Sequence, residues 1–426
     1  MLISPFVRAW GHSVASANGE LWRRHKRAVN PAFHGPMHVH IIFLVYDTVR
    51  FETAQVYQEL LEHEGWGTQN SVFVPSIKEV LKTTFLVILG RCGFGLPMEW
   101  PKKERVDLSA EMPLTQAIEI SAATYIAKIM LPEWAYKLPM ESVQAVKKAW
   151  DTMFHKTDQI IRDRRSATIK DAADEGGYIL RSLIESAIDE SGNYLLDEKE
   201  TAANMFTMFF AGHGECIQGQ PGSSDITHPN PKIETTSSVI TATLGFLALY
   251  EEEQEKAYQE ILAFISEHGK IDIKDVETMP HLSACIFEAG RRYPAAFFLP
   301  RALTEDTGQS QTPCRTDHCS AQGLNNPRDF PEPHVFRPSR WYGVSDSDVL
   351  TFSTGPRACI GRKFALTESL NLLAHFLHEW KLDVVLNPAE TREAYERRVM
   401  DDAGPDVTAF SVGKIPLKLT RRVALG

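Results

Sequence analysis

Apolar residues recur at three- and four-residue spacing through most of the first two-thirds of the chain, the pattern of helices with one buried face. The segments 48–65 (TVRFETAQVYQELLEHEG), 75–90 (PSIKEVLKTTFLVILG) and 141–165 (ESVQAVKKAWDTMFHKTDQIIRDRR) carry it clearly. A further helix is predicted over 195–213 (LLDEKETAANMFTMFFAGH), with Asp197 as its N-cap and Glu200 three residues later, the spacing of a capping box. PHLSACIFEAGRRYPA (280–295) predicts a helix ending near Pro294, and GRKFALTESLNLLAHFLHEW (361–380) one that starts just after a glycine. Strand-like stretches are few and late: FFLPRAL (297–303), WKLDVVL (380–386) and KIPLKLT (414–420). The expected fold class is mainly α with a small β portion, laid out as a single domain over 1–426 with no linker.

One stretch breaks the pattern. The helix-compatible run MFTMFFAGH ends at His213, and a long helix is predicted to resume with ETTSSVITATLGFLALYEEEQEKAYQEI from Glu234. Between them, residues 214–233 hold three prolines and three glycines, a composition that cannot continue a helix.

Composition narrows the classes. With 426 residues, 43% hydrophobic and 23% charged, the chain is that of a globular protein, and its net charge of −10 argues against a nucleic-acid partner. Six cysteines (92, 216, 285, 314, 319 and 359) form no paired framework, which suits a reducing compartment. No signal-peptide pattern opens the sequence, and no run of about 18 apolar residues is long enough to span a membrane. Gly11-His12-Ser13-Val14-Ala15 has the outline of an α/β-hydrolase nucleophile elbow, but the strands such a fold needs are missing around it. Cys314 and Cys319 with His213 and His318 offer a zinc reading, without zinc-site spacing in a second ligand pair.

The strongest chemical signal is FSTGPRACIGRKFA, 352–365. A lone Cys359 lies between Gly355 and Gly361, two residues from Arg357 and directly ahead of a helix. Glycines let the backbone turn tightly, and a helix N-terminus with a nearby cation favours thiolate over thiol. Such an arrangement suits a single soft ligand to a metal held from one side; an ordinary buried cysteine beside a helix start is the bland alternative.

The full pattern Phe352-x-x-Gly355-x-Arg357-x-Cys359-x-Gly361 resembles the haem-binding loop of the cytochrome P-450 family, of the fungal microsomal type, and Ala365 fits the small residue that follows. Other stretches resemble family motifs in the family's order. Glu288-Ala-Gly-Arg291 is similar to the Glu-x-x-Arg of the K helix, and PHVFRPSRW (333–341) brings Arg340 as the third member of that network. GELWRRHKRAVNPAF (19–33) resembles the C helix, with Trp22 in place and Lys26 where arginine is usual. The resemblance implies the P-450 fold, haem b with Cys359 as axial thiolate, and propionate contacts from Trp22, Lys26, Arg301 and Arg357, with Phe352 and Gly361 shaping the loop. It implies a structural, not catalytic, triad of Glu288, Arg291 and Arg340. It also implies a monooxygenase that inserts one atom of dioxygen into an apolar organic substrate, with electrons from NADPH through a separate flavoprotein reductase. Membrane association at the cytosolic face of the endoplasmic reticulum follows by the same resemblance, although the family's N-terminal anchor and first β segment are not recognisable here. Phe209, Phe210 and Ala295–Phe298 are either pocket lining or core.

In the family, the middle of the I helix carries Ala/Gly-Gly-x-Asp/Glu-Thr-Thr/Ser, whose acid and threonine deliver protons during oxygen activation. Here Ala211-Gly212-His213 and Glu234-Thr235-Thr236 match its two halves, and residues 214–233 split it. Glu234 and Thr235 are the catalytic candidates. The segment after Asp306 (307–325) is also atypical, lacking the alternation of a hairpin. These departures leave a second reading, a non-catalytic, truncated or mis-spliced remnant. Gly214-Glu215-Cys216 can be encoded with a typical 5′ splice donor, and Ile233-Glu234 with an acceptor AG that restores a Glu codon. A translated, in-frame intron is one explanation of the break, and a genuine surface excursion is the rival. Sequencing of transcripts is expected to show a major species without these sixty nucleotides; a major species that keeps them overturns the intron reading.

Overall fold

A computed structural model describes residues 10–33, 39–100, 110–124, 128, 131–166, 177–185, 195–213, 235–294, 298–299, 318–319, 324–345, 349–400, 404–405, 410–411 and 414–422. The chain divides into two compact units, one made of Met1–Gly67, Lys82–Lys232 and Ile360–Leu372, the other of Thr68–Leu81, Ile233–Cys359 and Leu373–Gly426. The helices are α1 (Gly19–Val29), α2 (Val39–His63), α3 (Ile77–Ile88), α4 (Leu114–Ala123), α5 (Glu141–Ser166), α6 (Tyr178–Glu185), α7 (Glu198–His213), α8 (Thr235–Leu249), α9 (Glu251–His268), α10 (Pro280–Arg292), α11 (Arg362–Glu379) and the single turn α12 (Arg392–Tyr395). The strands are β1 (Ser71–Val74), β2 (Phe298–Leu299), β3 (His318–Cys319), β4 (Trp380–Val384), β5 (Gly404–Pro405), β6 (Phe410–Ser411) and β7 (Leu417–Arg421). Helices occur in every segment predicted to hold one, though the long helix expected from Glu234 is divided, and the fold is mainly α with a small β portion.

In the first unit the capping box predicted at α7 forms: the Glu200 amide donates to Asp197 Oδ1 at 2.7 Å and the Asp197 amide to Glu200 Oε2 at 3.2 Å. Aromatic rings fill the core beside it. Phe209 stacks on Phe94 with centroids 4.5 Å apart, and Phe210 lies 4.3 Å from Trp10. Both phenylalanines are thus core residues. Asn204, on α7, is fully buried and joins three segments. Its amide donates to His25 Nδ1 on α1 at 2.8 Å and to the Glu200 carbonyl at 2.7 Å, and its Oδ1 accepts from the Val14 amide at 2.8 Å. Ser13 is buried in the turn ahead of α1, where its amide donates to Ser16 Oγ at 2.9 Å. It is therefore no exposed nucleophile elbow, and the hydrolase reading fails on that geometry.

In the second unit the long helix expected from Glu234 onwards is two helices. The chain breaks at Tyr250 (φ −103°, ψ 78°), and Glu251, Glu252 and Glu253 then occupy the first turn of α9, where the helix dipole favours negative charge. α8 is buried almost all round, as its apolar sequence requires. Gly245 on α8 is approached so closely that a Cβ would lie 2.9 Å from Ile415 Cδ1 and 3.0 Å from Met400 Sδ. β1, β7 and β4 form one antiparallel sheet in that order, with Val72 opposite Leu419 and Leu382 opposite Leu419 on its other side. β1 was not expected, because four residues of alternation are too few to stand out.

The unit is tied together by a buried ion pair. Glu288 and Arg291, one turn apart on α10, are both 0% exposed. Every one of the five guanidinium N–H groups of Arg291 finds an acceptor: Nε and Nη2 reach the two Glu288 oxygens at 2.8 and 2.9 Å, Nη1 reaches the Leu324 carbonyl at 2.9 Å and Asn325 Oδ1 at 3.3 Å, and Nη2 also reaches the Pro333 carbonyl at 2.7 Å. Glu288 in turn accepts from the Arg337 amide at 3.0 Å and the Trp341 indole N–H at 2.9 Å, with Arg340 Nε 3.4 Å away.

Two outcomes follow. Glu288→Gln leaves the Arg291 charge buried without its counter-ion and is expected to lower the unfolding free energy by about 3–5 kcal/mol in chemical denaturation. Replacing Glu288 and Arg291 together by methionine is expected not to restore it, since the Leu324 and Pro333 carbonyls then lose their donors; full recovery in the double variant would show that the pair is dispensable. His25 is held neutral by burial, its pKa pulled down from 6.5 to about 4. The unfolded chain takes up this proton at a higher pH than the folded one, so stability falls as pH drops from about 6.5 towards 4. Thermal melts of His25→Gln across that window are expected to show a shallower loss than the wild type; parallel curves would exclude His25 as a source of the acid sensitivity.

Candidate functional site

The loop ahead of α11 is shaped by its backbone before any side chain acts. Ser353 has φ +60° and Gly355 φ +76°, so the chain turns twice through the left-handed region, once at a residue for which that conformation is costly. The turn is closed when the Cys359 amide donates to the Phe352 carbonyl at 2.9 Å. Phe352 and Cys359 thus bracket the loop, as the motif spacing implies. Thr351 reaches α10 at Gly290, where a Cβ would stand 3.2 Å from the Thr351 methyl. A glycine inside a helix costs about 1 kcal/mol relative to alanine, and here it admits the loop. The helix itself begins just beyond, with the Ala365 amide donating to the Gly361 carbonyl at 2.9 Å.

Cys359 is exposed at the surface of this loop, whereas Cys92 and Cys285 are buried, with thiols that burial pushes far above the usual range. The loop is open at Gly355: nothing among the described residues lies within 4 Å of where a Cβ would stand. Among the described residues no group of three or more His, Cys, Asp or Glu side chains is placed to hold a metal ion; Cys314 and the side chains of His213, His318 and Cys319, on which the zinc reading falls, lie outside them. One accessible sulfur, on a turn closed by its own amide and followed in the sequence by a helix, fits a planar metal group bound from one face; it does not fit a metal caged by protein alone.

The other predicted residues divide as follows. Trp22 and Lys26 meet on α1, with Lys26 Nζ 5.0 Å from the Trp22 ring centroid. Arg357 closes the short helical turn Gly355–Arg357 two residues before Cys359. Glu288, Arg291 and Arg340 come together as described. Thr235 is the first residue of α8 and partly exposed. Glu234, Arg301 and the whole of 214–233 lie outside the described residues, as does most of 307–325. Sequence reasoning missed Trp341, whose indole N–H completes the Glu288 shell, although it ends the quoted PHVFRPSRW motif. It also missed Gly290, for which a glycine in mid-helix was the available signal, and Glu368, an acid on α11 whose carboxyl burial pushes far above its usual range. Among the described residues no helix is long and apolar enough to cross a membrane.

Comparison with known proteins agrees with this geometry. The family model for cytochrome P450 matches residues 7–215 and 233–396, and so leaves out 216–232, inside the segment that interrupts the sequence pattern. The chain is 27% identical over 431 aligned positions to cytochrome P450 monooxygenase 124 of Postia placenta, covering 97% of this chain and 77% of that protein. It is 27% identical over 401 positions to the human ultra-long-chain fatty acid omega-hydroxylase, covering 89% and 69% of the two chains. Among solved structures, the haem domain of cytochrome P450DA superposes with a TM-score of 0.68 at 19% identity, over 98% of this chain and 82% of that one. From the loop geometry and the extent of the family match together, the chain belongs to the cytochrome P450 family.

Proposed function

We propose that the haem-dependent monooxygenase activity of this family member is carried by Cys359 as the axial thiolate of haem b, with Arg357, Trp22, Lys26 and Arg301 answering the two propionates. The observation that supports this most is the exposed Cys359 on a loop turned twice through the left-handed region, set against two buried and inert cysteines. Haem b, when bound, supplies the oxidising chemistry that places one atom of dioxygen in the substrate while the other leaves as water. The chain supplies the rest. The N-terminus of α11 and the Arg357 cation favour the thiolate form of Cys359. The buried Glu288–Arg291 pair holds the 324–341 segment against α10, and Gly290 seats Thr351 at the foot of the loop. Thr235, at the partly exposed start of α8, presents its hydroxyl as the proton-delivering partner of Glu234.

The partner is a redox protein, for which an NADPH-dependent flavoprotein reductase is the proposal. The substrate is an organic molecule, proposed to be apolar. An ultra-long-chain fatty acid is the first probe, because a relative that aligns over most of this chain is named for hydroxylating one. Placement at the cytosolic face of the endoplasmic reticulum rests on resemblance to microsomal members. The segment 214–233 is proposed to be an insertion into the proton-delivery motif, a reading supported by the interruption of the family match over 216–232.

The chain expressed with a haem supply is expected to give a strongly red-shifted Soret band in the reduced, carbon-monoxide difference spectrum. Cys359→Ser is expected to abolish that band, and deletion of 214–233 to raise the haem-loaded fraction. An unchanged band in Cys359→Ser would remove this residue as the ligand.

A further inference from the structure

Three of the four residues that precede Ser166 are arginines, in the run Arg162-Asp163-Arg164-Arg165-Ser166. Ser166 is the last residue of α5, and it is exposed. Its hydroxyl donates to the Asp163 carbonyl at 2.9 Å, a bond inside the final turn of the helix, where fraying costs little. An exposed serine led in by arginines, at a helix end that opens readily, is what an arginine-directed protein kinase recognises: its acidic groove takes the basic residues while its active site takes the hydroxyl.

The same arginines hold two helices together. Arg165, with a side chain only 13% exposed, donates to the Leu196 carbonyl at 3.2 Å and to Thr201 Oγ1 at 3.1 Å, and lies 3.7 Å from Glu198 Oε1. Arg162, 66% exposed, lies 3.6 Å from Glu198 Oε2. The C-terminal end of α5 is thus tied to the first turn of α7. From there the connection continues to α1, since Glu200 pairs with Arg24 and Asn204 bonds His25. Trp22 and Lys26 stand on that same helix.

A phosphate on Ser166 would act on this tie. It adds a charge of about −1.5 to −2 at pH 7. The C-terminus of a helix already carries partial negative charge, so the α5 carbonyls and Asp163 repel the newcomer. Its nearest cation by helix geometry is Arg162, four residues back, a spacing at which side chains meet. Arg162 is also the more exposed of the two arginines on Glu198, and so the one with freedom to turn. One exposed ion pair is worth little by itself. Here Glu198 loses that pair and faces a like charge on the neighbouring helix end, at the turn where α7 begins.

We propose that Ser166 is a phosphorylation site, and that phosphate there draws Arg162 off Glu198, loosening the first turn of α7 and, through Glu200 and Asn204, the seating of α1. In the transfer, the Ser166 oxygen forms a bond to the γ-phosphorus of ATP as the bond from that phosphorus to ADP breaks, and the hydroxyl proton passes to the kinase's base. The consequence for haem rests on the assignment of Trp22 and Lys26 to the propionates, whereas the site and the loosening rest on α5 and α7 alone.

The test uses the full chain with magnesium-ATP and the catalytic subunits of protein kinases A and C, both arginine-directed. Tandem mass spectrometry is expected to find one phosphate, on Ser166, absent in Ser166→Ala and reduced several-fold in Arg164→Gln. No incorporation, or incorporation at Thr168 in place of Ser166, would overturn the site. Hydrogen–deuterium exchange reads the loosening. The phosphorylated chain and Ser166→Glu are expected to exchange several-fold faster over 198–204 than the wild type, with Ser166→Gln unchanged and with no further gain from Ser166→Glu in a Glu198→Gln background. Equal exchange in Ser166→Glu and Ser166→Gln would overturn the loosening. In the haem-loaded chain, Ser166→Glu is expected to release haem to apomyoglobin several-fold faster than Ser166→Gln; equal release would overturn the link to α1. A wild-type chain without the carbon-monoxide band would count against the haem assignment alone, and the mass and exchange measurements would still decide the site and the loosening.

Discussion

A carboxylate and a guanidinium taken wholly out of water one turn apart on α10 are the constraint on which the second compact unit depends. Desolvating two charges is expensive, and their mutual attraction offsets it only when every donor and lone pair is used. Arg291 meets that condition by reaching beyond Glu288 to two backbone carbonyls at 324 and 333, and Glu288 meets it by accepting from Arg337 and Trp341. The pair therefore does more than cancel charge. It fixes where the irregular segment 324–341 runs, and such a segment has no ladder of its own to hold it. Elsewhere on the same helix Gly290 receives Thr351, so α10 sets both the long connection and the foot of the cysteine loop.

The first unit uses neutral chemistry for the same purpose. Asn204 employs both ends of its amide to join α1, α7 and the turn at Val14, and His25 stays uncharged because burial leaves its second proton no place. A carboxylate, Glu200, caps α7 and also pairs with Arg24. Trp22 and Lys26, the site candidates on α1, thus stand on a helix anchored by a histidine between them.

Much of this was legible beforehand, and for physical reasons. Long amphipathic stretches announce themselves through a 3.6-residue period, so the helices at 141–166 and 362–379 lie within a residue or so of their predicted limits. The box of Asp197 and Glu200 depends on local spacing alone and was found where expected. The cysteine loop was legible because several residue types recur at fixed intervals. What escaped depends on partners distant in sequence. The bond between Asn204 and His25 joins positions 179 residues apart, and Trp341 reaches Glu288 across 53. The break at Tyr250 escaped because an apolar run followed by a glutamate-rich run reads as one helix until the dipole preference of three consecutive acids is weighed. The strand at 71–74 was too short to carry a period.

The contrast among the cysteines bears on how the protein ages. Of those whose burial is described, Cys92 and Cys285 are sealed in the core, and Cys359 stands at the surface of its loop. Access is what exposes a sulfur to peroxide, and beyond sulfenic acid the damage is not readily reversed. Among these three sulfurs an oxidant meets Cys359 first, while the other two share the fate of the core and are reached only when it opens.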